Sequence, residues 1–182
     1  SAAGEIAPGD SAAGEVAARN WPQFRGIDGR GVADGQQPPL TWDVAAGKHV
    51  VTANKALLAV HGNEIFAAAH KQGVMVAFEA AVAGGIPIIK ALREGLSANR
   101  IDWIAGIING PTNFILSGMR SKGLDFDAAL KDAQKLGYAE ADPTFDIEGI
   151  DAAHKATIMS AIAFGIPVQF DKAHVEGITA LQ

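Results

Sequence analysis

The chain has 182 residues, of which 48% are hydrophobic and 19% charged, an ordinary balance for a globular protein with one sizeable core or two small ones. Its formal net charge of −5, with no run of lysine or arginine, leaves no basic footprint, so neither nucleic acid nor a membrane surface is an expected partner. The absence of cysteine excludes disulfides, thiolate metal sites and cysteine nucleophiles.

In chain order, residues 1–20 carry Ser-Ala-Ala-Gly-Glu twice, starting at Ser1 and at Ser11, a low-complexity repeat that can bury little and is expected to be disordered. No basic stretch followed by an apolar one is visible there, so no signal peptide is read. Residues 21–43 are rich in turn formers and punctuated by aromatics. Their Gly26, Gly29 and Gly31 do not have the spacing of a dinucleotide-binding loop and follow no strand. Near residue 44 the character changes: no lysine precedes it, and the text beyond is rich in Ala, Ile and Lys.

From there His49 to Thr52 reads as a short β-branched strand running into a loop at Asn54 and Lys55. Asn63 to Lys71 reads as a helix and Val74 to Phe78 as a second strand, which together make a right-handed crossover. In an open α/β sheet, ligands bind at the carboxyl ends of strands, which singles out Asn54 and Lys55. The longest apolar run, Val74 to Ile89, contains Glu79, two glycines and a proline and is no membrane span. A carboxylate in such a run needs a partner, and a cap or turn contact is the simplest one. Pro87 to Gly95 reads as a helix with proline in its first turn, and Ile101 to Ile108 as a strand of a second sheet. Asn109-Gly110-Pro111-Thr112-Asn113 turns into a helix whose free N–H groups and Thr112 hydroxyl could meet a polar ligand. Asp125 is the expected cap of the helix up to Leu136, which Gly137 ends.

The stretch from Ala133 to Lys155 crowds five carboxylates and two lysines around one helix start. Asp142-Pro143 breaks the chain, and the next helix is expected to start near Asp146, capped by its carboxylate, and to stop at Gly165-Ile166-Pro167. Asp151 and Lys155, four apart, share a face of that helix, and Glu140 and Asp146 lie just before it. Spacing alone fits a solvated surface ion pair as well as it fits an active site.

Those same residues, read as Ala-x3-Gly-aromatic-Ala-x2-Asp-Pro-x2-Asp-Ile-x-Gly-x-Asp-x3-Lys, resemble the signature of homoserine dehydrogenases without a gap, and the resemblance runs from about Val44 to the end. It implies an α/β fold in which residues 44–80 close a Rossmann-type nucleotide-binding domain. Residues 81–182 would then form an incomplete mixed-sheet substrate and dimerisation domain with helices on one face. The reaction implied is NAD- or NADP-dependent interconversion of L-homoserine and L-aspartate 4-semialdehyde, in a cytoplasmic homodimer serving threonine, methionine and isoleucine biosynthesis. By the same resemblance Lys155, Asp151 and Lys55 are catalytic, and Glu140, Asp146, Asp151 and Thr112 bind substrate. Lys55, Asn54 and Thr112 meet the cofactor, while Glu79, Val82, Gly84 and Ile86 hold a structural sodium or potassium ion. The family's Gly-rich phosphate loop is not found before residue 44, so the chain alone is expected to have little or no dehydrogenase activity.

Two other readings stand beside this one. Residues 21–43, opening Trp-Pro-Gln-Phe-Arg-Gly, resemble the start of secreted quinoprotein-like β-propellers, which would make the chain a propeller-related binding protein, although no further blade follows. The region beyond residue 80 would alternatively serve as a non-catalytic dimerisation module. The seam near Asp43 and Val44 fits a natural fusion, an engineered chimera or a misjoined reading frame.

Overall fold

Two short parallel strands and the helix that joins them frame the lysine-bearing end of the protein. The computed structural model describes Val44 and residues 47–181, so the repeat at 1–20 and the segment at 21–43 lie outside the described residues. Strand β1 (Val50–Val51) pairs with β2 (Val76–Ala77), with Val50 opposite Val76 and Val51 opposite Ala77. Helix α1 (Lys55–Gln72) makes the crossover and starts well before the expected Asn63, because Asn54 caps it: its side-chain oxygen accepts from the Leu57 N–H. Gly73, at φ 64°, closes the helix in the left-handed conformation, with His70 and Lys71 placed favourably against the last carbonyls.

Helix α2 (Ala80–Ala83) follows β2, and α3 (Ile88–Lys90) runs into a π-helical turn at Ala91–Gly95. The single helix expected over 87–95 is therefore split, since Leu96 N–H reaches back five residues to the Ala91 carbonyl. Residues 101–108, expected as a strand, form neither strand nor helix. Their β-branched side chains favour extension, but among the described residues no strand lies beside them to complete a ladder, and Trp103 and Ile107 are 74% and 76% exposed.

Helices α4 (Gly110–Lys122) and α5 (Phe126–Lys135) start where capping residues dictate: Asn109 accepts from the Thr112 N–H, and Asp125 accepts from the Ala128 N–H at 2.7 Å, as expected. Pro111 in the first turn of α4 removes only a donor that has no partner within the helix. A short helix α6 (Thr144–Ile147) precedes α7 (Ile150–Phe164). Asp146 thus lies inside α6 and does not cap α7. Gly149 takes that position at φ 79°, and a β-carbon there would come within 2.9 Å of the Glu176 carbonyl oxygen. A 3-10 turn, Phe170–Lys172, lies beyond the end of α7.

The described residues form one unit. Its larger core joins Leu58, Phe78, Val82, Ile89, Leu92, Ile158 and Met159, so residues from both sides of position 80 share it. A smaller core joins Ile115, Ala129, Ala133, Ala139 and Ile178. Burial of a side chain such as Leu58, Ile89 or Ile115 contributes about 1.5–3 kcal/mol, which is what holds α1 against α7 and α4 against α5. No helix among the described residues is long and apolar enough to cross a membrane.

Candidate active site

The packing of α1 on α7 brings together residues far apart in the sequence. Lys55, the first residue of α1, has its ammonium 3.1 Å from Asp151 Oδ1, and Lys155 lies 2.7 Å from Asp151 Oδ2. A cation in the first turn of a helix opposes the helix dipole, so Lys55 is held there by Asp151 rather than by its own helix. The Asp151 side chain is 6% exposed, against 31% for Lys55 and 17% for Lys155, so one nearly buried carboxylate anchors two ammonium groups that still reach solvent. Burial, the largest single influence on the Asp151 carboxyl, pushes it up. Hydrogen bonds from Lys155, Asn109 and Lys55, with the charge of Lys155, outweigh that and hold it below the usual carboxylate range.

Asn109 completes the cluster and was not singled out in the sequence. Its side-chain oxygen is used in capping α4, while its amide nitrogen donates to Asp146 Oδ1 at 2.6 Å and to Asp151 Oδ2 at 2.9 Å. A signal for it existed. A capping asparagine spends its oxygen on the helix, and its two remaining donors, when buried, require acceptors. Asn109 is 8% exposed, and the carboxylates of α6 and α7 are those acceptors.

Thr112 sits beside Asp146, but its backbone N–H is taken by Asn109 and its hydroxyl donates to the Asp146 carbonyl at 3.3 Å. Glu140 is exposed, with its backbone carbonyl accepting from Gln134. Asn54 lies at the carboxyl end of β1 next to Lys55, its N–H donating to the Thr52 hydroxyl at 3.0 Å.

Lys155 also donates to the Ile108 carbonyl at 2.9 Å. An ammonium has three N–H groups, so among the described residues two are engaged and one is left to meet another oxygen. Two lysine ammonium groups fixed by one carboxylate, each with a spare donor, can stabilise a developing oxyanion and deliver a proton to it.

The second candidate locus is the loop after β2. Both Glu79 oxygens accept backbone N–H groups, from Ile89 at 2.8 Å and Lys90 at 2.9 Å, so this carboxylate caps the start of α3. Val82 is buried in α2, Gly84 has φ 58°, and Ile86 is 67% exposed with its carbonyl accepting from Ile88 N–H.

Comparison with known proteins is specific. A family model described as homoserine dehydrogenase matches residues 87–182, and one described as homoserine dehydrogenase, NAD binding domain, matches residues 42–79. A homoserine dehydrogenase of Pseudomonas aeruginosa is 76% identical over 135 residues, which are 74% of this chain and 31% of that protein. One from Neisseria gonorrhoeae is 72% identical over the same shares. The crystal structure of a Thiobacillus denitrificans homoserine dehydrogenase superposes with a TM-score of 0.75 at 76% identity, covering 76% of this chain and 32% of that one. A hyperthermophilic archaeal homoserine dehydrogenase in complex with NADPH gives 0.69 at 36% identity, covering 76% of this chain and 43% of that one. The chain therefore spans about a third of the length of the relatives named first.

Proposed function

The chain belongs to the homoserine dehydrogenase family, and from that premise we propose that it carries the proton-transfer and substrate-facing side of an NAD(P)-dependent oxidoreductase site acting on L-homoserine and L-aspartate 4-semialdehyde. The observation that carries the reading is the pair of lysines on one nearly buried carboxylate, Lys55 and Lys155 on Asp151.

NAD(P)H, when bound, supplies a hydride to the aldehyde carbon. The C=O π pair then moves to oxygen, and the Lys155 ammonium gives that oxygen its proton, forming the alcohol of homoserine and leaving an amine that water reprotonates. Asp151 aims Lys155 and Lys55 at the oxygen, and Lys55 assists from the opposite helix. The substrate's ammonium is met by Asp146 and Glu140, with Asp151 contributing negative charge nearby. Asn54, Lys55 and Thr112 form the cofactor-facing edge. The hydroxyl of Thr52 and the Asn54 amide beside Lys55, at the carboxyl end of a parallel strand, suit a nucleotide's polar groups.

Glu79 with the carbonyls of Val82, Gly84 and Ile86 is a fitting set for a structural sodium or potassium ion. All are oxygen donors, and among the described residues the carbonyls of Val82, in α2, and Gly84, just past its end, accept none of the loop and turn backbone hydrogen bonds. The exposed apolar side chains of Trp103 and Ile107 suit a homodimer interface. A cytoplasmic biosynthetic setting accords with the family.

The test is titration of the purified chain with NADPH, NADH and L-homoserine, followed by backbone and lysine NMR. L-Homoserine is expected to shift the resonances of Asn109, Asp151 and Lys155, and Lys155→Met to abolish the response. A response spread over unrelated surface residues, or one that survives the substitution, would overturn the assignment.

A further inference from the structure

We propose that His154 is a positioning residue for Lys55: a neutral imidazole clamped between Phe145 and Phe170 that fixes the Phe145 ring beneath the Lys55 ammonium. The proposal deepens the active-site reading and rests on it for the importance of Lys55. His154 lies on α7 between Asp151 and Lys155 and is only 4% exposed. Its ring centroid is 5.3 Å from that of Phe145, on α6, and 4.4 Å from that of Phe170, in the 3-10 turn. The Phe145 ring in turn lies 5.7 Å from Lys55 Nζ, within reach of a cation–π contact.

The stack is anchored at both ends to the helix it serves. Asn63 of α1 donates to the Val168 carbonyl at 2.8 Å and accepts from the Val168 N–H at 2.9 Å, pinning the segment that leads to Phe170. A β-carbon at Gly62 would come within 3.2 Å of the Val168 side chain, so this approach is already close. Contacts thus run from Lys55 through Phe145, His154 and Phe170 and back to α1 by way of Val168 and Asn63.

Packing does not by itself explain a histidine here. Its Nδ1 is buried without a hydrogen-bond partner among the described residues, an unfavourable condition that a phenyl ring of similar shape would avoid. What imidazole adds is a charge state. Burial first, and then the nearby Lys55 charge, hold its pKa below the usual histidine value, with Asp151 opposing. The charged groups acting on it are Lys55 from α1 and Asp151 from its own helix; α6 and the 3-10 turn meet it with Phe145 and Phe170, while Asp146 of α6 is bonded to Asn109 and Asp171 and Lys172 of the turn are exposed. Protonation would add a third cation to the pair of ammonium groups already on Asp151 and weaken the seat of Lys55 on Phe145.

The experiment is NMR of the full chain with 13C-labelled histidine Cε1 and lysine Cε, followed from pH 8 downward without substrate or cofactor. His154 is expected to titrate below the ordinary histidine range, and the Lys55 resonance to shift along the same curve. In His154→Phe, and in His154→Gln as a second non-titrating variant, that acid-side Lys55 shift should vanish. In His154→Phe alone the neutral-pH Lys55 position should be retained, since the stack survives. A Lys55 resonance that ignores the His154 titration, or that keeps its shift in both variants, would overturn the proposal. Because no ligand is involved, such a failure leaves the catalytic reading of Lys55 to be decided by the L-homoserine titration.

Discussion

Two carboxylates in this protein, one nearly buried and one half-buried, are satisfied in opposite ways. Asp151 gathers side-chain donors from three elements, namely Lys55 from α1, Asn109 at the start of α4 and Lys155 one turn along α7. Glu79 takes two backbone N–H groups from the first turn of one neighbouring helix. Backbone donors are fixed in place and satisfy a carboxylate wherever a helix begins, so the Glu79 contact is explained by capping alone. Two lysines converging on one carboxylate, each keeping at least one N–H to spare among the described residues, are an arrangement that helix capping does not produce.

The sharpest way to break this contrast is Asp151→Ala, which leaves Lys55 and Lys155 facing each other without their anion. Removing one partner of a buried pair costs about 3–5 kcal/mol, and since both lysines retain some solvent the expected loss in urea unfolding is about 3 kcal/mol. A loss under about 1 kcal/mol would return the cluster to an ordinary surface ion pair. Acid should reproduce part of the loss. The Asp151 carboxyl is held below its ordinary value of 3.8, so its contribution is complete above that pH and disappears as pH falls through the lowered folded value. Stability of Asp151→Asn should therefore fall less steeply than that of the parent below pH 3.8.

The two sites were not equally legible. The Asp151–Lys155 pair follows from the helical period, and Asp125 and Gly137 behave as cap and terminator because their local chemistry leaves little choice. Lys55 could be placed after a strand, but its meeting with Asp151 depends on α1 packing against α7 through Leu58 and Ile158, a long-range event that periodicity does not encode. Asp146 reads as a helix cap when Gly149 is overlooked. Once the left-handed residue at 149 restarts the helix, Asp146 is turned toward Asn109, and the capping asparagine becomes the bridge between two carboxylates. Residues 101–108 show the converse: β-branched composition is satisfied only by a neighbouring strand, which the described residues do not supply.

The smaller effect is expected at Glu79, where the comparison can be sharpened rather than broken. Glu79→Ala removes the acceptor for two N–H groups at the start of α3, worth about 1 kcal/mol by analogy with other caps. Glu79→Gln keeps one acceptor oxygen and should cost less if capping is the whole role. A bound monovalent ion adds a term that capping lacks. Tenfold excess over its dissociation constant stabilises the folded chain by about 1.4 kcal/mol, since the ion binds only the folded loop. Unfolding the parent in potassium chloride, sodium chloride and tetramethylammonium chloride at equal ionic strength separates the two. A difference between salts that is lost in both variants assigns Glu79 to the ion as well as to the helix. Equal midpoints in all three salts, with Gln milder than Ala, would leave it a helix cap, satisfied by backbone donors where Asp151 is satisfied by lysines.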